Sequence, residues 1–235
     1  MEKRLAELVE KLKNAHGAQL VSVILYGSGA REDHHAKYSD LNVLCVLERV
    51  SPAELRASEP VSRWWRELGN PSPLLLSAEE VRTSTDCFPI EFQDMQDSRR
   101  VLHGQDVIAD LDVDRRYYRA QLEHELRAKM LRLRQKAAGI LSDSKALTSL
   151  MLDSVSTFMV LARHALQLSG IPAGSTRRSI VEALPRIGLE AAPFDALLAV
   201  REGGKQPGDL DAPSLFAEYL KQIEALVRHV DKLEQ

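Results

Sequence analysis

Tyr26-Gly27-Ser28-Gly29-Ala30-Arg31 is followed, after a short charged stretch, by Ser39-Asp40-Leu41-Asn42-Val43-Leu44, and this pair of segments decides how the chain is read. The apolar run Leu20 to Leu25 before it predicts a buried strand. That strand ends at Gly27-Ser28, where a backbone without Cβ turns sharply and opens a short helix through Ala30-Arg31. Amides exposed at such a turn bind anions. The next strand, Asp40 to Leu47, sends Asp40 and Asn42 to one face and Leu41 and Val43 to the other, because successive side chains alternate. Two polar groups thereby meet beside an anion-binding turn.

This order resembles the polymerase-β-type nucleotidyltransferase superfamily, whose pattern is a strand, Gly-Ser, a short helix, and a second strand bearing Asp-x-Asp or Asp-x-Glu. The resemblance covers roughly the first half of the chain. Members carry a third carboxylate on a later strand, and Pro89-Ile90-Glu91-Phe92-Gln93-Asp94 offers Glu91, followed by Arg100-Val101-Leu102-His103-Gly104. By that resemblance, Gly27 and Ser28 cradle the β- and γ-phosphates of a nucleoside triphosphate, with Arg31 as a charge partner. Asp40, Glu91 and position 42 ligate Mg²⁺ or Mn²⁺, with Asp40 and Glu91 as the catalytic carboxylates and Asn42 also counted among the nucleotide-binding positions. The implied reaction moves a nucleotide to a hydroxyl of a small molecule or a protein, the acceptor itself being unknown.

Asn42 departs from the pattern. An amide oxygen ligates a hard cation but brings no negative charge to offset metal and triphosphate. Either the site works with Asp40 and Glu91, or the fold binds nucleotide without turnover, as a non-catalytic interaction module or one partner of a toxin–antitoxin-like pair. Glu32, Asp33 and Asp94 are the local acids that would compensate. On a strand Asp94 is out of phase with Glu91, so a bulge or the strand's end is needed to bring it in.

Composition narrows the remaining classes. The 235 residues are 44% hydrophobic and 28% charged with a net charge of −3, an ordinary globular balance that advertises neither nucleic acid nor membrane as partner. The start Met1-Glu2-Lys3-Arg4 leads into an amphipathic helix, and no apolar run approaches the roughly 20 residues of a membrane span, so a cytoplasmic location is expected. Cys45 and Cys87 belong to no Cys-x-x-Cys pair and read as idle thiols. His34 and His35, adjacent in the charged stretch without further ligands nearby, read as solvated. A homodimer is compatible with all of this.

Along the chain, Leu5, Leu8, Val9, Leu12 and Ala15 predict a first helix ending near His16-Gly17, and Ser51-Pro52 opens a helix running to Leu68-Gly69-Asn70. Strands are expected over Pro71 to Leu76 and Ile90 to Gln93. From Tyr118 onward three helical stripes dominate, with a further helix from Ser179 to Leu189 interrupted near Pro185. The fold class is therefore α+β, a small mixed-sheet nucleotidyltransferase domain over residues 1–110 followed by an all-α helical bundle over 111–235. That order resembles the antibiotic nucleotidyltransferases. The stretch Arg115 to Lys136 carries eight basic side chains and reads as a solvated helix face, with a grip on triphosphate as its sharper alternative. Arg119 and His124 match the Arg-x4-His spacing of helical ribonuclease toxins, which is expected to be chance.

Overall fold

A computed structural model of the chain describes residues 1–30, 41–113, 116–174 and 176–233. The chain divides into two compact units, Met1–Arg115 and Arg116–Gln235.

The first unit is built on a four-stranded sheet. Helix α1 (Glu2–His16) leads into β1 (Leu20–Tyr26), which ends in a short 3₁₀ turn, Gly27–Ala30. Strand β2 (Asn42–Leu47), helix α2 (Pro52–Glu67), strand β3 (Leu74–Ser77), helices α3 (Ala78–Thr83) and α4 (Pro89–Asp97) and strand β4 (Arg99–Gly104) follow. The strand order is β3-β2-β1-β4, with β1 antiparallel to both neighbours and β2 parallel to β3. Both faces of β1 and β2 are covered, which is why those strands read as nearly unbroken apolar runs. On one face Val23, Leu25, Val43, Cys45 and Leu47 pack with Leu5, Leu8 and Leu12 of α1 and with Val61 and Trp65 of α2. On the other, Ile24, Leu44 and Val46 meet Val81 of α3 and Phe92 and Met95 of α4. Burying roughly 1.5–3 kcal/mol of apolar side chain at each such position holds the layers together.

One expected strand is a helix. Ile90 to Gln93 alternates apolar and polar residues, as a half-buried strand would, yet these residues form the first turns of α4. Pro89 occupies the first helical turn, where its missing N–H costs nothing and its fixed φ is already helical. The buried side chains Pro89, Phe92 and Met95 recur every three residues, the spacing of a helix face. The strand of this region lies one element later, at β4, which pairs with β1 from Ser22↔Gly104 to Tyr26↔Arg99.

The second unit is helical. Helices α5 (Tyr118–Ala137), α6 (Ser144–Leu168) and α9 (Ala212–Asp231) pack on one another, and α7 (Arg177–Ala183) and α8 (Ala192–Arg201) pack on α6. Asp143, Thr176 and Asp211 cap α6, α7 and α9 by accepting from N–H groups of the first turns. Tyr219 sits at the centre, edge-on to Phe158 and Phe194, with its hydroxyl 3.1 Å from Ser154 Oγ. At 25 residues α6 is long and apolar enough to cross a membrane by length and composition, although Lys145, Asp153 and Arg163 interrupt its apolar sequence. Its buried face includes Thr148, Arg163 and His164 beside the apolar residues, the pattern of a helix in a protein core.

Candidate functional site

The end of β1 gathers the groups on which the sequence reading rests. Gly27 follows Tyr26 with φ +71, a left-handed conformation that L side chains rarely adopt, so the sharp turn requires glycine. A Cβ there would lie 3.6 Å from Asn42 Nδ2, which puts the amide of position 42 directly beside the turn. Asn42 is half-buried and pairs with Tyr26 as the first residue of β2. Strand alternation puts Asn42, Leu44 and Val46 on the face that α3 and α4 cover.

Glu91 reaches the same end of the sheet from α4. It is exposed in the first helical turn, and its charge together with burial pushes the Tyr26 phenol above its usual value, burial being the larger cause. Tyr26 is thus paired with Asn42, adjoins the Gly27 turn and lies within electrostatic reach of Glu91. The helix also changes the place of Asp94. Three residues after Glu91 on a helix, it lies on the adjoining stretch of the same face with no bulge needed.

A second set of contacts ties the turn to β4. The Gly27 N–H donates to the Ser98 carbonyl at 3.0 Å, and the Ser98 hydroxyl donates to the Gly27 carbonyl at 3.0 Å. Ser98 is buried, and nothing in its sequence context marked it. Next to it Arg99 is anchored by paired bonds of 2.9 and 3.0 Å to Asp106 and by a bond to the Gln96 carbonyl, and the guanidinium holds the Asp106 carboxyl below its ordinary value.

Asp40, Arg31 and the Ser28 side chain lie outside the described residues, as do Glu32, Asp33, His34 and His35. Among the described residues no group of three or more His, Cys, Asp or Glu side chains forms a metal cluster. The donors that are present, the Asn42 amide oxygen and the Glu91 carboxylate, are hard oxygens of the kind Mg²⁺ or Mn²⁺ takes, so the chemistry of the set fits such a cation.

The basic stretch of α5 is largely engaged with acids of its own unit. Arg119 and Arg127 reach Glu123 at 2.8 and 2.6 Å, Arg127 lies 3.5 Å from Asp231, Lys129 lies 3.5 Å from Glu125, and Arg134 reaches Glu224 at 2.6 Å. This favours the solvated face. Burial pushes the Cys45 thiol up to about 12, while Cys87 is exposed and held protonated by its bond to Asp86.

No family model matches the sequence, and no curated protein is similar to it. Among solved structures, the spectinomycin adenyltransferase AAD(9) from Enterococcus faecialis, determined with ATP and spectinomycin, aligns over 98% of this chain and 99% of its own, with a TM-score of 0.62 at 14% identity. The chain thus shares its fold with that adenyltransferase along nearly its whole length.

Proposed function

We propose that this protein is a divalent-cation-dependent nucleotidyltransferase that moves a nucleotide from a nucleoside triphosphate to a hydroxyl of a small molecule. The observation that carries the reading is the proximity of the left-handed Gly27, the Asn42 amide and the Glu91 carboxylate to Tyr26, within a fold shared end to end with an adenyltransferase. Backbone amides of the turn bind the phosphates. Glu91, exposed and making no ion pair among the described residues, accepts the proton of the acceptor hydroxyl while its oxygen bonds to the α-phosphorus and pyrophosphate leaves. Asp40, Asn42 and Glu91 would hold Mg²⁺ or Mn²⁺, which supplies charge neutralisation at the triphosphate. ATP is the first donor to try, and amino-sugar or aminocyclitol antibiotics such as spectinomycin the first acceptors.

Asn42 favours a second reading. With one carboxylate fewer than the superfamily pattern, the site binds nucleotide without transferring it, because electrostatic stabilisation supplies most of the rate in phosphoryl chemistry. One experiment separates the two. Calorimetry with ATP, GTP, CTP and UTP, with and without Mg²⁺, is followed by pyrophosphate release against a panel of hydroxylated small molecules. Binding with release supports the enzyme, binding without release against any acceptor supports the nucleotide-binding module, and no heat at millimolar nucleotide removes both.

A further inference from the structure

The amide that follows Gly27 has its direction set from β4. The Gly27 carbonyl accepts the Ser98 hydroxyl, and in a planar trans peptide the N–H of the next residue points opposite to that carbonyl. The Ser28 N–H is thereby turned away from β4. The preceding peptide is fixed as well, since the Gly27 N–H donates to the Ser98 carbonyl. One buried serine holds the peptide on each side of the left-handed glycine, at a point where the β1–β4 ladder has already ended at Tyr26↔Arg99. Glycine alone does not choose this conformation, because it visits both signs of φ with nearly equal ease.

We propose that Ser98 is a positioning residue for nucleotide binding: through its hydroxyl and carbonyl it fixes the Gly27 turn so that the Ser28 amide is preset toward the phosphates, without itself touching the nucleotide. This rests on the nucleotide reading of the turn. Its hydroxyl bond is absent from the rest of the strand pair except at the far end, where the fully buried Ser22 hydroxyl reaches the His103 and Gln105 carbonyls at 3.3 and 2.6 Å. Ser22, on β1, therefore provides a control for Ser98, which caps α4 just before β4: the same residue type and a side-chain-to-carbonyl bond between the β1 and β4 segments, remote from the turn.

The test compares ATP affinity by calorimetry, with Mg²⁺ and in EDTA, and melting temperature for wild type, Ser98→Ala, Ser98→Thr and Ser22→Ala. Ser98→Ala is expected to weaken ATP by about three- to tenfold, the worth of one hydrogen bond used for preorganisation, and by the same factor in EDTA because the turn acts on phosphate directly. Ser98→Thr, which keeps the hydroxyl, should restore most of that affinity. Ser22→Ala should lower the melting temperature and leave ATP binding as in wild type. Wild-type affinity in a folded Ser98→Ala overturns the proposal. So does an equal loss in Ser22→Ala, which would mean that affinity merely follows stability. A wild-type protein that binds no nucleotide overturns the underlying reading of the turn, and is told apart by the absence of heat before any substitution.

Discussion

Polar groups in the sheet unit and in the helical unit are held in different ways. At the end of β1, backbone groups and a glycine are fixed by Ser98, while Asn42 and the exposed Glu91 stand beside them. In the helical unit charged side chains are largely held by one another: Glu123 takes two arginines, Arg134 takes Glu224, and Arg178 takes both Glu202 and Asp195. A carboxylate already bonded to two guanidinium groups is held well below its usual titration and makes a poor base, as the Glu123 shift illustrates. Glu91, by contrast, is exposed and makes no ion pair among the described residues. Under the proposed function, the contrast predicts that charge changes at the end of β1 alter activity while charge changes in the second unit alter little.

The largest effect is expected at Glu91. Glu91→Gln keeps the shape and removes the proton acceptor, and should lower nucleotide transfer by about 100-fold or more with the melting temperature nearly unchanged, since the side chain is exposed. Transfer rates and thermal melts on the same preparations decide it. If rate and stability fall together, Glu91 is a structural helix residue and the contrast between the units disappears.

Asn42→Asp is expected to act more weakly and in the opposite sense. A carboxylate beside the turn offsets cation charge at ligand distance, so Mg²⁺ or Mn²⁺ affinity in the presence of ATP should rise by about tenfold. Comparing metal titrations and pyrophosphate release in the two proteins sharpens the reading. Turnover that appears only in the variant identifies the natural site as a binding module, turnover that the variant abolishes makes the amide a working ligand, and an unaltered metal affinity means that position 42 does not serve the cation.

Arg134→Glu probes the other side of the comparison. It replaces a 2.6 Å attraction to Glu224 by repulsion on a solvated helix face, which should cost about 0.5–1 kcal/mol of stability and leave ATP affinity where it was. A loss of ATP binding that deepens at low salt would instead give α5 a phosphate-binding role.

What could be read in the sequence follows the same division. Strands β1 and β2 and the glycine turn were legible because apolar runs and a positive-φ glycine leave strong local marks. Helix α4 was misread because Ile90-Glu91-Phe92-Gln93 satisfies a period of two over four residues, and only the longer spacing through Met95 reveals the helix. Helix α8 is absent from the sequence expectation although Pro193 opens it and Phe194, Leu197 and Leu198 line its buried side. Ser98 left no mark at all. Its role depends on pairing with a residue 71 positions away, which no local pattern encodes.

The smallest effect tests whether the two units respond alike to acid. Each has a histidine that ties two helices together: His16 Nε2 lies 2.9 Å from Ser58 Oγ between α1 and α2, and His229 Nε2 lies 2.8 Å from Ser169 Oγ between α9 and α6. The Ser169 proton is already given to the Ala165 carbonyl at 2.7 Å, so His229 Nε2 carries the hydrogen and donates. Burial lowers both imidazoles, with Glu54 partly opposing the shift at His16. In both cases the folded state binds fewer protons than the unfolded chain, so the stability is present above the ordinary histidine value near 6.5 and is lost as pH falls through it toward the lowered folded value. Melting temperature should therefore decline between about pH 7 and pH 5. His229→Gln, which retains a donor at the place of Nε2, should flatten that decline, and His16→Gln should flatten it less because Glu54 already favours the charged ring. Thermal melts of wild type and both variants at pH 7 and pH 5 measure the difference. A decline that neither substitution changes would assign the acid sensitivity to the paired carboxylates instead.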